Sequence, residues 1–314
     1  MSKQLHVAVA VIEDAQGRIL LTQRAADKHQ GGLWEFAGGK CEAGEPVLQA
    51  LARELHEELG SEVVSAESLL QIPYQYPELN VLLDVHRVTA YRGEAHGAEG
   101  QPMQWVAKAQ LQQIAFPAAN RPIVCAVQLP QQYLVTPTGL DAEALYQGVM
   151  RAAAQGIELV QLRAPELSEQ AYFALVERLL QALPVSCRLL IKGSWAQVQD
   201  YEQAGWHLTS AQLEQFAQQS ERPLPSNRWV AVSCHNAQQL AWATQISADF
   251  ACLSPVQATA SHPDAQPLGW AATAELIAEA QVPVYLLGGL QPSDLTQARI
   301  IGAQGIAAIR GLWS

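Results

Sequence analysis

No two cysteines in this chain stand close enough to make a CxxC or CxH pair. Cys41, Cys125, Cys187, Cys234 and Cys252 occur singly, which argues against a disulfide framework and a zinc site and predicts small buried hydrophobes. Long apolar runs are lacking too. None approaches the roughly 20 residues of a membrane span, and the opening "MSKQLHVAVAVIEDAQG" has neither a basic stretch leading into an apolar one nor a cleavage site. A soluble, cytoplasmic chain with no membrane partner is expected. Positive charge is scarce, with 19 Lys and Arg against 30 Asp and Glu and a net charge of -11. That balance argues against direct nucleic-acid binding, which needs a basic surface to neutralise phosphates. Any phosphate handled here is expected to be small and metal-bound. The 314 residues are at the upper end of what one core supports, which favours two domains over a single large barrel, and the absence of a low-complexity linker points to a short connection between them.

The character of the chain changes within "FPAANRPIVCAVQLPQQYLVTPTG". Before that stretch, short alternating strands and one strong helix predominate; after it, strand-like runs and helix-length segments alternate at a regular beat. The boundary is placed between a first domain of residues 1–130 and a second of residues 131–314. In the first, "LHVAVAVIED" and "RILLTQR" read as strands across the turn "DAQG", and "VLLDVHRVTAY" and "MQWVA" add sheet.

The segment Pro46 to Leu59 is predicted to be a helix. Leu48, Leu51, Leu55 and Leu59 form a core-facing stripe, and Gly60 is the stop signal. Glu54, Glu57 and Glu58 then share one face, although like charges so close repel. One reading is a solvated acidic face, the usual fate of such clusters. The other is all-oxygen ligation of magnesium or manganese. The preceding "AGGK" favours the second, because adjacent glycines let a backbone turn tightly and bring a carbonyl or N–H close to a ligand.

Gly39, Glu45, Arg53, Glu54, Leu55, Glu57, Glu58 and Gly60 match the Nudix box, GX5EX7REUXEEXGU, with Ser61 at the final apolar position as the one departure. The first domain therefore resembles the Nudix hydrolases. The resemblance implies an α/β/α sandwich that hydrolyses a nucleoside diphosphate linked to another moiety, using Mg2+ or Mn2+. It implies that Gly38, Glu54, Glu57 and Glu58 hold the metal, and that Arg53 and Glu45 orient loop and helix as an ion pair. Glu54 is the leading candidate for the base or for the ligand that positions the attacking water. Outside the box, "TQRAADKHQGGLWEFAGGK", "GAEGQPMQWV" and "FPAANRP" are similar to the MutT type, the 8-oxo-dGTP diphosphatases, over Leu5 to Leu129. By that resemblance Glu99 is an additional metal carboxylate, Asn120 reads the base, and Arg24, His29 and Phe36 line the nucleotide pocket. An asparagine can donate and accept together, as an 8-oxopurine edge requires; it is also a common turn residue. Arg24 and Phe36 can equally be a surface cation and a core aromatic. Ala37 stands where the family usually has proline, and Leu79 and Asn80 where the MutT type is more basic.

The second half holds eight strand-like runs, "QYLVTP", "GIELVQLR", "CRLLIKG", "GWHLT", "RWVAVSCH", "ADFACLSP", "VPVYLLGG" and "AQGIAAI". Eight strand-helix beats predict a parallel (β/α)8 TIM barrel with its site at the strands' C-terminal ends. Gln161, Arg163, Lys192, His207, His235, Ser254 and the pair Gly288 and Gly289 collect there, and such glycine pairs commonly cradle phosphate. In order and spacing, "LVTP", "QLR", "SCH", "LSPV" with "TASHP", and "LLGG" resemble the thiamine phosphate synthase and thiazole tautomerase family. Where the synthases carry Asn-Asp-Arg after the third strand, this chain has Lys192-Gly193-Ser194, without the carboxylate expected to bind magnesium pyrophosphate. The resemblance thus points to a metal-free, tautomerase-like proton transfer at His235, with Ser261 and the glycine pair holding a thiazole phosphate. Lys192, the only lysine after residue 108, either binds phosphate as a point charge or caps the surface. A histidine at a strand end is also often only a packing residue.

The expected fold class is α/β, an N-terminal Nudix α/β/α sandwich followed by a C-terminal TIM barrel. The expected function is metal-dependent hydrolysis of oxidised purine nucleotides, 8-oxo-dGTP to 8-oxo-dGMP and pyrophosphate, a sanitation of the nucleotide pool. The alternatives are a bifunctional thiamine-pathway enzyme whose Nudix half hydrolyses a pathway pyrophosphate, and a non-catalytic metabolite-binding regulator. Oligomeric state is left open.

Overall fold

The computed structural model describes residues 4–27, 30–76, 79–259 and 264–313. His29 and Ser261 lie outside the described residues. The chain divides into two compact units, Met1–Gln128 and Leu129–Ser314.

The described residues of the first unit form seven strands: β1 (Gln4–Ile12), β2 (Arg18–Gln23), β3 (Trp34–Glu35), β4 (Gly38–Lys40), β5 (Glu62–Gln75), β6 (Asn80–Arg92) and β7 (Met103–Ala107). Its α-helices are α1 (Val47–Leu59) and α2 (Arg121–Gln128). A mixed sheet runs in the order β4-β1-β6-β5, and a smaller one in the order β3-β2-β7. β1 and β6 pair in parallel with Ala8 beside Asp84 and Ala10 beside His86. Because side chains alternate across a strand, β1 serves two cores. Ala8, Ala10 and Ile12 pack with Ala50, Leu51, Leu55 and Leu59 of α1. Val9 and Val11 pack with Leu83, Val85 and with Ile123, Val124 and Val127 of α2. The sheet is thus covered by a helix on each face, the expected sandwich.

Two sequence expectations need correction. Leu48 is 50 % exposed, not part of the stripe; side chains tilt towards a helix's N-terminus, so a first-turn side chain overhangs the start, and Val47 packs on the core instead. Cys41 is only half-buried, whereas Cys125, Cys187, Cys234 and Cys252 are buried as expected. On the α1 face the sheet also holds a polar peg. The Asp84 carboxylate accepts from His86 Nε2 at 2.9 Å, Gln71 Nε2 at 2.8 Å and His6 Nε2 at 3.1 Å. Burial alone would raise its pKa, but hydrogen bonds led by His86 outweigh that and hold it below the ordinary value.

In the second unit, eight strands close into a parallel barrel: β8 (Gln132–Val135), β9 (Leu159–Gln161), β10 (Arg188–Ile191), β11 (Gly205–Leu208), β12 (Val230–Cys234), β13 (Phe250–Leu253), β14 (Val284–Leu286) and β15 (Gly305–Ala308). The helices are α3 (Ala142–Ala154), α4 (Glu169–Ala182), α5 (Trp195–Val198), α6 (Ser210–Gln219), α7 (Ala237–Gln245), α8 (Gly269–Ala278) and α9 (Leu295–Ile300). Asp141 and Ser168 cap α3 and α4 by accepting from Ala144 N–H and Ala171 N–H. Alternate residues such as Leu134, Val160, Ile191, Trp206 and Val232 face the helices and form one core. Tyr133, Phe250 and Tyr285 instead plug the barrel interior, with ring centroids 5.1 to 5.5 Å apart. No helix among the described residues is long and apolar enough to cross a membrane.

Candidate functional site

The acidic helix and the glycine loop meet as the sequence predicts. β4 lies antiparallel to β1, with Gly38 beside Val9 and Gly39 beside Ala8. A Cβ on Gly38 would fall 2.2 Å from the Ala8 carbonyl oxygen, and one on Gly39 would fall 2.2 Å from the Glu54 carboxylate. Only glycines allow so close an approach, and through that gap Glu58 Oε2 accepts from Gly38 N–H at 3.2 Å. Ala37, in the position usual for proline, is 1 % exposed and leaves this contact in place. Arg53 ties the loop to the helix. It donates to Glu45 at 3.1 and 3.0 Å, to the Lys40 carbonyl at 3.0 Å and to Glu54 Oε1 at 2.8 Å. Glu45 is held below the ordinary carboxylate range, chiefly by those bonds from Arg53. Ser61, the departure from the box, is buried with its hydroxyl 3.4 Å from the Leu59 carbonyl, to which it donates.

Glu58 is the most perturbed carboxyl of the group. Burial pushes it up to about 7, and the charges of Glu35, Glu54 and Glu99 push the same way, against the Gly38 hydrogen bond. Glu99 comes into range because its loop docks on the end of α1: His96 N–H and Ala98 N–H donate to the Leu59 and Glu58 carbonyls at 3.1 and 2.9 Å. Gln101 closes the dock, donating to the Glu58 carbonyl at 2.8 Å and accepting from Glu99 N–H at 3.0 Å. Glu57 turns outward, with its side chain 53 % exposed. Among the described residues, no three His, Cys, Asp or Glu side chains are closed into a ready metal cage. The donor set nonetheless fits a hard divalent cation: the carboxylates supply oxygen only, and they mutually raise the cost of charging Glu58, which a cation would reverse.

The nucleotide-pocket candidates divide. Arg24 is half-buried and ion-paired with Glu35, a partner that sequence reasoning missed. Phe36 is 3 % exposed and stacks on Phe116 with centroids 5.5 Å apart, so it supports the loop carrying Asn120 from inside the core. Asn120 ends a 3-10 turn, Ala118–Asn120, with its N–H bonded to the Pro117 carbonyl at 2.9 Å. It is half-buried.

In the barrel, a cavity of about 910 Å³ opens at the C-terminal ends of the strands, lined by Gln161, Arg163, Lys192, His207, His235, Ser254, Gly288 and Gly289 among others. The barrel brings all of these sequence-selected positions together. The lining adds two charged groups that sequence reasoning missed, Arg310 after the last strand and Asp264, the one carboxylate among the described lining residues. On the floor, Tyr133 OH donates to His207 Nδ1 at 2.7 Å, Gln161 Nε2 lies 2.6 Å from the same nitrogen, and His207 Nε2 is 3.0 Å from Ser233 Oγ. Burial, and then the nearby Lys192, hold the His207 imidazole far below its ordinary pKa, so it is neutral. With Nδ1 as acceptor, Nε2–H donates to Ser233. At the rim, His235 is exposed and its Nδ1–H donates to the Ser254 carbonyl at 2.7 Å, leaving Nε2 as a base. Gly288 and Gly289 follow β14 with φ of 108° and 71°. A Cβ on them would fall 2.8 Å from Pro255 and 2.6 Å from the Ala258 carbonyl, so the loop bed is backbone alone.

The acidic helix under a glycine loop and the cation-lined barrel mouth each have known counterparts. Residues 8–126 match the family described as NUDIX domain, and residues 132–312 match the family described as Thiamine monophosphate synthase. The 8-oxo-dGTP diphosphatase of Escherichia coli (strain K12) is 36 % identical over 126 residues, 40 % of this chain and 98 % of that protein. The CTP pyrophosphohydrolase of the same organism is 37 % identical over 122 residues, 39 % of this chain and 90 % of that protein. Thiamine-phosphate synthase of Synechococcus sp. (strain WH7803) is 29 % identical over 182 residues, 57 % of this chain and 51 % of that protein. The chain belongs to the thiamine monophosphate synthase family through its barrel, which is joined to an N-terminal Nudix hydrolase domain.

Proposed function

We propose that the first unit hydrolyses 8-oxo-dGTP to 8-oxo-dGMP and pyrophosphate with magnesium or manganese. The observation that carries this is Glu58 drawn against the Gly38 N–H and crowded by Glu35, Glu54 and Glu99, a charge arrangement that a bound cation would relieve. A bound divalent ion supplies charge neutralisation on the phosphate oxygens and acidifies a coordinated water. Gly38, Glu54, Glu57, Glu58 and Glu99 would hold it. Arg53 fixes the Glu54 carboxylate at 2.8 Å, so that Glu54 holds the attacking water in line or takes its proton at Oε. Water attack at the β-phosphorus breaks the bond to the α-phosphate oxygen and releases pyrophosphate. Arg24 and Asn120 contact the nucleotide, Asn120 by its paired donor and acceptor, while Phe36 shapes the pocket through Phe116.

The relatives named for 8-oxo-dGTP and for CTP match almost equally well, so the base has to be settled by rates. Steady-state hydrolysis of 8-oxo-dGTP, dGTP and CTP by the intact chain tests it. A kcat/KM for 8-oxo-dGTP less than about tenfold above that for dGTP, roughly 1.4 kcal/mol, sinks the substrate assignment.

In the barrel, Arg163, Lys192 and the Gly288–Gly289 loop hold a phosphomonoester, and Nε2 of His235 moves a proton in a thiazole-tautomerase-like reaction. Lys192-Gly193-Ser194 after the third strand offers no carboxylate for magnesium pyrophosphate, which favours this over synthase chemistry. Unchanged tautomerisation by His235→Ala would leave the cavity as a binding site only. Fusion to this family favours one second reading, a Nudix half that hydrolyses a thiamine-pathway pyrophosphate; faster turnover of thiazole or pyrimidine pyrophosphates than of 8-oxo-dGTP would select it.

A further inference from the structure

Gln101 is bound twice, and both bonds run to residues of the acidic set. Its Nε2 donates to the Glu58 carbonyl at 2.8 Å, and its Oε1 accepts from Glu99 N–H at 3.0 Å. One side-chain amide therefore joins the main chains of two carboxylate residues that stand on separate elements, α1 and the loop before β7. The end of α1 does not need this amide as a cap. Gly60, in the left-handed conformation, turns its N–H back to the His56 carbonyl at 3.0 Å, and Ser61 N–H reaches the Leu55 carbonyl at 3.3 Å. The Glu58 carbonyl already accepts from Ala98 N–H at 2.9 Å, so Gln101 occupies its second lone pair.

Apolar burial does not hold the loop either, since none of residues 96–101 is buried. Hydrogen bonds hold it, and glycines make room for them. A Cβ on Gly97 would fall 2.2 Å from the Gln101 carbonyl oxygen, and one on Gly60 would fall 2.4 Å from the His96 ring. Glu99 enters the dock through its N–H, while its side chain is exposed. The loop thus fixes where this carboxylate starts and leaves the carboxylate itself available.

We infer that Gln101 is a positioning residue that holds Glu99 in register with Glu58, so that the two carboxylates close on a divalent ion together. The inference rests on the metal reading of the first unit. Its physical basis is entropy: a backbone already fixed at Glu99 loses less freedom when the carboxylate ligates. Partners of this kind, one step removed from a metal, are worth about 10–100-fold in affinity.

The test is Mn2+ binding by the intact chain without nucleotide, read from the electron paramagnetic resonance signal of the free ion, so that turnover plays no part. Gln101→Met fills the same space with neither hydrogen bond and should weaken Mn2+ binding at least about tenfold; Gln101→Ala should do the same. Amide hydrogen exchange at Ala98 and Glu99 should quicken in both, with the melting temperature close to that of the parent. Glu99→Gln should also weaken binding, and adding Gln101→Met to it should cost little more, because nothing is left to position. Unchanged binding in Gln101→Met and Gln101→Ala beside weakened binding in Glu99→Gln overturns the inference and leaves the metal site standing. Losses that simply add in the double variant overturn it as well. Unchanged binding in both Glu58→Gln and Glu99→Gln removes the metal site and the inference with it.

Discussion

Gly39→Ala isolates the geometry of the hydrolytic site from the stability of the fold. Gly39 does not have a positive φ, so alanine adopts its backbone conformation without strain. Its new Cβ would fall 2.2 Å from the Cδ and Oε2 of Glu54 and 2.5 Å from Oε1. The obstruction is the end of a flexible side chain, so the carboxylate yields and the strand does not. To reach ordinary 3.4 Å contact it must withdraw by about 1.2 Å, which also pulls it off the Arg53 Nη1 that now holds it at 2.8 Å. A displacement of that size costs about a hundredfold in rate, or roughly 2.7 kcal/mol of transition-state stabilisation. Pyrophosphate release from 8-oxo-dGTP should show the loss in kcat, with KM changed little and the melting temperature within a few degrees of the parent. Gly44→Ala is the control: at φ +80° with nothing within 4 Å, it costs about 1 kcal/mol of stability and leaves the rate unchanged. A Gly39→Ala chain that kept kcat within about threefold of the parent would refute the role given to Glu54.

Glu57→Gln should abolish turnover while leaving the circular dichroism spectrum intact, because its side chain is 53 % exposed and carries no core packing; retained turnover would remove it from the metal ligands. Asn120→Ala should erase most of the preference for 8-oxo-dGTP over dGTP, a change of about 1–3 kcal/mol, and an unchanged ratio would place base recognition elsewhere. Glu58 predicts a pH slope in stability measured with chelator. Its carboxyl rises from 4.5 to about 7 on folding, so between those values the folded chain holds a proton that the unfolded chain has released. The contribution of Glu58 to stability is therefore full below about pH 4.5, falls by about 3 kcal/mol across the window and then levels. Denaturant titrations at pH 5 and pH 7.5 should show that fall, and Glu58→Gln should flatten it. Added magnesium should raise stability at the higher pH, since it replaces the repulsion with ligation.

The hydrolytic helix was legible from residue order because everything it needs is local. Leucines at i+3 and i+4 settle which face is buried, and the same spacing puts Glu54, Glu57 and Glu58 on another. Leu48 departs from that pattern because periodicity describes a direction around the axis and carries no information on how far the neighbouring sheet extends along it. The Arg53–Glu45 pair, eight residues apart, lay within reach of motif reading. The Arg24–Glu35 pair and the Gln101 dock did not, since they depend on how β2, β3 and the loop before β7 fold back on one another. Phe36 shows the same limit: residue order left it as pocket lining by resemblance or as a core aromatic, and its burial and stacking on Phe116 appear only in the fold.

Residue order by itself determined the two-part organisation, the strand-helix alternation of the barrel and the chemistry of the acidic helix, because hydrophobic period and short-range charge spacing act over a few turns of chain. Only the tertiary structure decided what those residues can do together. Closing eight strands brings Gln161, Lys192, His207 and Ser233 around one cavity, and burial there keeps His207 uncharged and pushes Lys192 down to about 8. Desolvation depends on what surrounds a group in three dimensions, which is why residue order alone does not show it.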